Sequence, residues 1–248
     1  MRGYNKYQRL LFASLLILLA VFFYALHYAI FKDAHHIFIY LLGDIGFLFV
    51  EVLIVTLIIH QILTEREKRA MLKKMSMVIG AFFSEVGTEL LRQFNSFDST
   101  AESIGARLII DNSWSPEHFD KVEELLTGHK FKIDSKAGNL KELHEFIVGK
   151  RNFLLRLLEN PNLLEHESFT ELLWAVFHMA EEMSHRSTVE NLPENDYKHL
   201  SGDILRAHRL LVREWVEHMK HLKADYPYLF SLAIRTNPFN PAAKVEVT

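Results

Sequence analysis

Residues 37–59 read IFIYLLGDIGFLFVEVLIVTLII, and residues 60–94 continue as HQILTEREKRAMLKKMSMVIGAFFSEVGTELLRQF. The first part has the length and apolarity that a helix needs to cross ~30 Å of hydrocarbon. No proline separates it from the charged part, so the sequence predicts one helix that leaves the bilayer as a stalk over residues 64–95. Along the stalk, Met71, Met75, Val78, Phe82, Val86, Leu90 and Phe94 recur every three or four residues, an amphipathic stripe at helical period.

On the N-terminal side, residues 10–30 (LLFASLLILLAVFFYALHYAI) form a second uncharged run of spanning length. The run exceeds a cleavable signal core and ends in no small-residue cleavage site, so it reads as a retained anchor. Lys32, Asp33, Ala34, His35 and His36 connect the two runs, giving a transmembrane hairpin over residues 1–63. Arg2, Lys6 and Arg9 precede the first run, while Arg66, Lys68, Arg69, Lys73 and Lys74 follow the second. Lys32 alone is basic at the hairpin tip. That asymmetry predicts both termini in the cytoplasm, the membrane being an inner, cytoplasmic one of bacterial type. Tyr4, Tyr7, Tyr24, Tyr28 and Tyr40 fall near the expected interfaces.

On the C-terminal side the pattern predicts a cytoplasmic helical domain over residues 96–234 and a tail over 235–248. Helices are expected near 100–110 and 116–127, the second opened by Ser115-Pro116 and stopped at Gly128. Asn139 opens another that ends before Pro161. Ser168-x-x-Glu171 reads as a capping box for a helix to about His185. The last long helix runs from Pro193 to about Asp225, with Ile204, His208, Leu211, Trp215, His218 and Leu222 as its seam. Tyr226-Pro227 breaks it, and a short amphipathic piece leads to Asn237-Pro238-Phe239, an expected turn. No alternating strand pattern stands out. The fold class is therefore all-α: a two-span hairpin, a stalk and a helical bundle.

Composition agrees and narrows the function. Of 248 residues 49% are hydrophobic, and 19 phenylalanines stand against 10 glycines and 6 prolines, a balance that favours helices over tight-turned sheets. No cysteine is present, which excludes disulfides, thiolate metal sites and cysteine nucleophiles. From Ser96 onward 18 basic residues face 24 acidic ones. A nucleic-acid binder carries a basic face, so that class is set aside. No P-loop, nucleophile elbow, dinucleotide fingerprint or metalloprotease motif occurs. Ser184-His185 lacks the following acid and proline of a sensor-kinase box. Neither an enzyme activity nor a cofactor is expected.

Three groups of residues carry the chemistry that remains. Asp44 and Glu51 lie inside the second apolar run, on one helix face about 10 Å apart, and each needs a partner, a proton or water. In a tight hairpin Tyr24 and His27 would reach Asp44, while Glu51 would act as glue between protomers or face a conducting axis. Gly43 and Gly46 beside Asp44, and Gly80, Ser84 and Gly87 in the stalk, have the spacing of small-residue helix seams. His178, Glu182 and His185 share a face, as do Glu214 and His218, and Glu182-x-x-His185 has the spacing of a bundle di-metal pair. The expectation is a non-enzymatic, homo-oligomeric membrane module that contacts the lipid bilayer and a cytoplasmic protein partner. A small ion or proton channel and a metal-dependent bundle enzyme are its rivals.

Overall fold

Helix α1 spans Lys6–Phe31 and helix α2 spans Ala34–Phe82, 49 residues. The structure, a computed structural model, describes residues 6–246; the side chains of residues 6, 9, 68–72, 164 and 165 lie outside that description. Arg2 and Tyr4 lie outside the described residues, as do the side chains of Lys6, Arg9, Lys68, Arg69 and Met71. Contacts divide the chain into residues 1–68 and residues 69–248.

The first unit is a helical hairpin closed by two local devices. Lys32 adopts a left-handed conformation (φ 50°), and its N–H donates to the Tyr28 carbonyl at 2.8 Å, ending α1. Asp33 then accepts the His36 N–H at 3.1 Å and so caps the start of α2. Two stretches, Leu10–Phe31 and Ala34–Glu67, share a mean hydropathy of 2.4 and are long and apolar enough to cross a membrane. Neither is buried by the rest of the chain.

The second unit gathers the end of α2 with α3 (Thr88–Asn95), α4 (Ala101–Gly105), α5 (Pro116–Gly128), α6 (Leu140–Leu158), α7 (Glu167–Ser184), α8 (Glu194–Asp225) and α9 (Pro227–Arg235). No strand occurs among the described residues; Asp98 and Ile133 form an isolated antiparallel bridge. Helix α8 is the hub, packing against α3, α5, α7 and α9, and α6 packs on α7. All six seam residues expected on α8 are buried. Phe82, Phe94, Phe97, Phe119 and Phe169 are fully enclosed, and burying a side chain of that size contributes about 2–3 kcal/mol. Phe82 meets Phe169 edge to face at 5.4 Å, joining α2 to α7.

Four local expectations change. The stretch expected as a stalk with an amphipathic stripe supplies core residues from Met75 to Phe94, Phe82 packing on Phe169 of α7 and the turn after α2 packing on α8. It is also not one regular helix: Phe83–Gly87 forms a π-helical turn. Thr88 Oγ1 donates to the Phe83 carbonyl at 2.8 Å, meeting an acceptor beside that wider turn. The helix near 100–110 stops at Gly105, after which Leu108, Ile110 and Trp114 pack as irregular chain. The capping box at Ser168 is displaced: His166 caps α7 by accepting the Phe169 N–H at its Nδ1, 3.3 Å away. A 3-10 turn, Pro161–Glu165, positions that histidine.

Candidate functional site

In the hairpin, Tyr24, His27 and Asp44 line one cleft of about 570 Å³ with His36 and Tyr40. His27 stacks on His36 with ring centres 5.7 Å apart. Neither Asp44 nor Glu51 makes an ion pair or hydrogen bond among the described residues, and Glu51 is exposed. Gly43 and Gly46 have open space where a side chain would point, so no close helix approach occurs there within the chain.

The stalk trio Gly80, Ser84 and Gly87 does not form one seam. An added Cβ at Gly80 would sit 3.8 Å from His218 of α8, and Ser84 is exposed. Gly87 is enclosed by its own helix: a Cβ there would lie 2.6 Å from the Phe83 ring and 2.9 Å from that of Phe82. The π turn folds those rings back over residue 87, which is why glycine stands there.

The proposed metal ligands separate into different places. His178 and Glu182 join a network with residues of α8. The Asp203 carboxylate, 6% exposed, lies 3.3 Å from His199 Nε2 and 3.9 Å from His178 Nε2. Glu182 lies 3.8 Å from His199 and 2.8 Å from Arg186, which also reaches Asp196 at 2.8 Å. The Arg186 guanidinium holds the Glu182 and Asp196 carboxyls below their usual range. His185 turns away, its Nδ1 donating to the Glu181 carbonyl at 2.8 Å. Glu214 and His218 face another region. Among the described residues no group of three or more His, Asp and Glu side chains is arranged to hold a metal ion.

Glu214 and His218 line a cavity of about 650 Å³ in the second unit. Helix α8 contributes Glu214, Glu217, His218, His221 and Asp225 at spacings of three and four; Lys73, Met75, Ser76 and Ile79 come from α2, and His166 and Tyr226 complete the wall. His221 Nδ1 donates to Asp225 Oδ2 at 2.9 Å, so its Nε2 is left as the basic nitrogen, and that atom is buried without a partner. His166 uses Nδ1 as an acceptor from Phe169, so in the neutral ring Nε2 carries the proton. Burial raises the Glu214 carboxyl above the ordinary range, opposed by the Ser168 hydroxyl, His166 and Arg213. Burial, aided by His221, pushes His218 down to about 4, and its ring stacks on Phe83 at 4.9 Å. The wall thus brings Glu214, whose carboxyl burial pushes upward, and the buried His221 Nε2 beside the apolar Met75 and Ile79.

Periodicity on α8 exposed Glu214 and His218, but not His166 or Lys73. His166 acts through the α6–α7 connection, whose turn left no helical period to follow. Lys73 looked like a topology charge.

A family model described as "MJ1433, N-terminal helical domain" matches residues 4–63, and one described as "Uncharacterized protein MJ1433, C-terminal helical domain" matches residues 71–235. The Methanocaldococcus jannaschii protein described as "Uncharacterized protein MJ1433" is 42% identical over 236 residues, 95% of each chain. No solved structure matches the chain.

Proposed function

This chain belongs to the MJ1433 family, and from that premise we propose a two-span integral membrane protein whose C-terminal helical domain is a non-enzymatic module for assembly or signal relay. Helix α2 carries the reading. One uninterrupted helix begins with an apolar, wholly exposed stretch of spanning length and ends in side chains buried in a helical core. Apolar surface on that scale needs a cover, and lipid supplies one. With both termini cytoplasmic, the helix links the bilayer to the domain, and the domain's partner is another copy of the chain or a cytoplasmic protein.

Alkaline carbonate should leave the full chain in the membrane fraction, and protease added outside sealed cells should spare the region around His178. Release by carbonate, or cleavage near His178 from outside, would sink the membrane reading. Light scattering in detergent tests assembly; a strict monomer that captures nothing would remove that part.

The second reading is a small oligomeric channel. It is favoured by Asp44 and Glu51, intramembrane acids for which the described residues provide no ion pair. Conductance of liposome-inserted protein should then fall in Glu51→Gln; no current from the folded wild type would eliminate it.

A further inference from the structure

The stretch that follows α9 lies on the second unit as a peptide lies in a slot. Asn237 and Phe239 are 2% and 7% exposed. Asn237 Nδ2 donates to the Leu108 carbonyl at 2.8 Å, Asn95 Nδ2 to the Pro238 carbonyl at 3.4 Å and Arg92 Nη2 to the Thr236 carbonyl at 3.1 Å. The Phe239 ring meets Trp215 edge to face, centres 5.1 Å apart, and Gly105 borders the same space: a Cβ there would lie 3.9 Å from Phe239 Cβ. Bonds to the main chain hold such a segment, and a seat for one side chain makes the hold selective. Two observations set the segment apart from the fold it rests on. Its shape is its own: Asn237 Oδ1 accepts the Phe239 N–H at 2.8 Å, and the Asn237 carbonyl accepts the Asn240 N–H at 3.2 Å, around the fixed φ of Pro238. A turn shaped by its own bonds loses less freedom on docking. The family's C-terminal helical domain, moreover, matches residues 71–235 and ends just ahead of this plug.

We propose that Arg92, Asn95, Gly105, Leu108 and Trp215 form a peptide-binding slot for an Asn-Pro-Phe turn, filled in cis by the chain's own tail and open to the same tail of a second copy. Phe239 is the apolar anchor, and Asn237 sets its register through the Leu108 carbonyl. A tail tethered to its own slot competes at an effective concentration on the order of millimolar. A tail from another copy therefore enters when the resident plug is weakened or when copies are held side by side. The inference is independent of the membrane reading, since slot and plug both belong to residues 69–248.

Fluorescence anisotropy of a labelled peptide spanning residues 236–241 (Thr-Asn-Pro-Phe-Asn-Pro) against the full chain in detergent provides the test. The Phe239→Ala chain, whose own plug lacks its anchor, should bind the peptide saturably. The wild type should bind it at least about tenfold less tightly, because its own tail competes. Asn237→Ala loosens the plug at its other end and should open the slot likewise. Adding Gly105→Leu, which fills the space of the Phe239 ring, should abolish peptide binding to the Phe239→Ala chain. Between whole chains, a Gly105→Leu copy has a displaced tail and a Phe239→Ala copy an open slot. Differently tagged, these two should co-purify more strongly than two Phe239→Ala copies do. The proposal is overturned if neither loosened chain binds the peptide, if the wild type binds it as tightly, or if Gly105→Leu makes no difference. An unmatched pair that co-purifies as well as the matched one overturns it too.

Discussion

His208→Leu should make the C-terminal domain more stable and less sensitive to acid. The wild-type imidazole is fully buried between Phe131, 4.9 Å away, and Phe94, 5.8 Å away, and neither ring nitrogen has a hydrogen-bond partner. Desolvation pushes its pKa from 6.5 down to about 4, with Asp98 pulling it up and His129 pushing it further down. The unfolded chain therefore binds a proton more readily than the folded one. The contribution of the neutral ring is complete above an unfolded pKa of about 6.5 and is lost as pH falls toward the folded value. By pH 5 that loss is about 2 kcal/mol, growing to about 3 kcal/mol below the folded pKa. Leucine has a similar volume, does not titrate and needs no partner, so the variant should gain about 1 kcal/mol at pH 7. Trp114, Trp174 and Trp215 all lie in residues 69–248, so tryptophan fluorescence during thermal unfolding of the full chain in detergent reports this unit. Between pH 7 and pH 5 the wild-type midpoint should fall further than the variant's by about 4–8 °C. His218, also held near 4, remains in both proteins, so the difference isolates His208. Equal falls in the two proteins would refute the reasoning, as would a variant less stable at pH 7.

Gly87→Ala should cost about 1–3 kcal/mol, because the new carbon meets the Phe83 and Phe82 rings below contact distance; an unchanged melting midpoint would show that the rings move freely. Asp98→Ala should cost about 2–4 kcal/mol, since one buried carboxylate oxygen accepts from Thr100 N, Thr100 Oγ1 and Lys132 N at 2.9, 2.7 and 3.0 Å; denaturant unfolding measures it, and a loss near zero would mean that water replaces all three. Arg186→Met should cost about 1–2 kcal/mol at neutral pH. Glu182 and Asp196 are held low by this arginine, so their contribution is present above the ordinary carboxylate range and lost as pH falls through the folded values. The variant's disadvantage should therefore shrink in acid, and a pH-independent difference would contradict the pairing.

Periodicity made the helices legible. The α8 seam and the stripe from Met75 to Phe94 could be read directly because every third or fourth residue is large and apolar. What escaped depended on tertiary company. The stalk and the core share one pattern, since an amphipathic stripe says that a face is covered without saying by what. Residues 106–114 carry Leu108, Ile110 and Trp114 at near-helical density, yet they pack as irregular chain, with Asn237 Nδ2 donating to the Leu108 carbonyl at 2.8 Å. The metal candidates shared helix faces, but His178 sits by the Asp203 carboxylate, His185 bonds the Glu181 carbonyl and His218 stacks on Phe83. The cavity joins residues from three stretches of sequence, 73–79, 166 and 214–226, and its polar members carried a common spacing only on α8.

The π turn at Phe83–Gly87 amounts to one residue in excess of a regular helix. Were the same residues wound as a regular α-helix with none removed, everything on one side of the turn would swing about 100° around the axis and slide about 1.5 Å along it. Met75, Ile79 and Phe82 would then leave their seats while Leu90 and Phe94 kept theirs. That small excess therefore works as a phase-setter: it lets two runs of apolar side chains, out of step by sequence count, address the same interior.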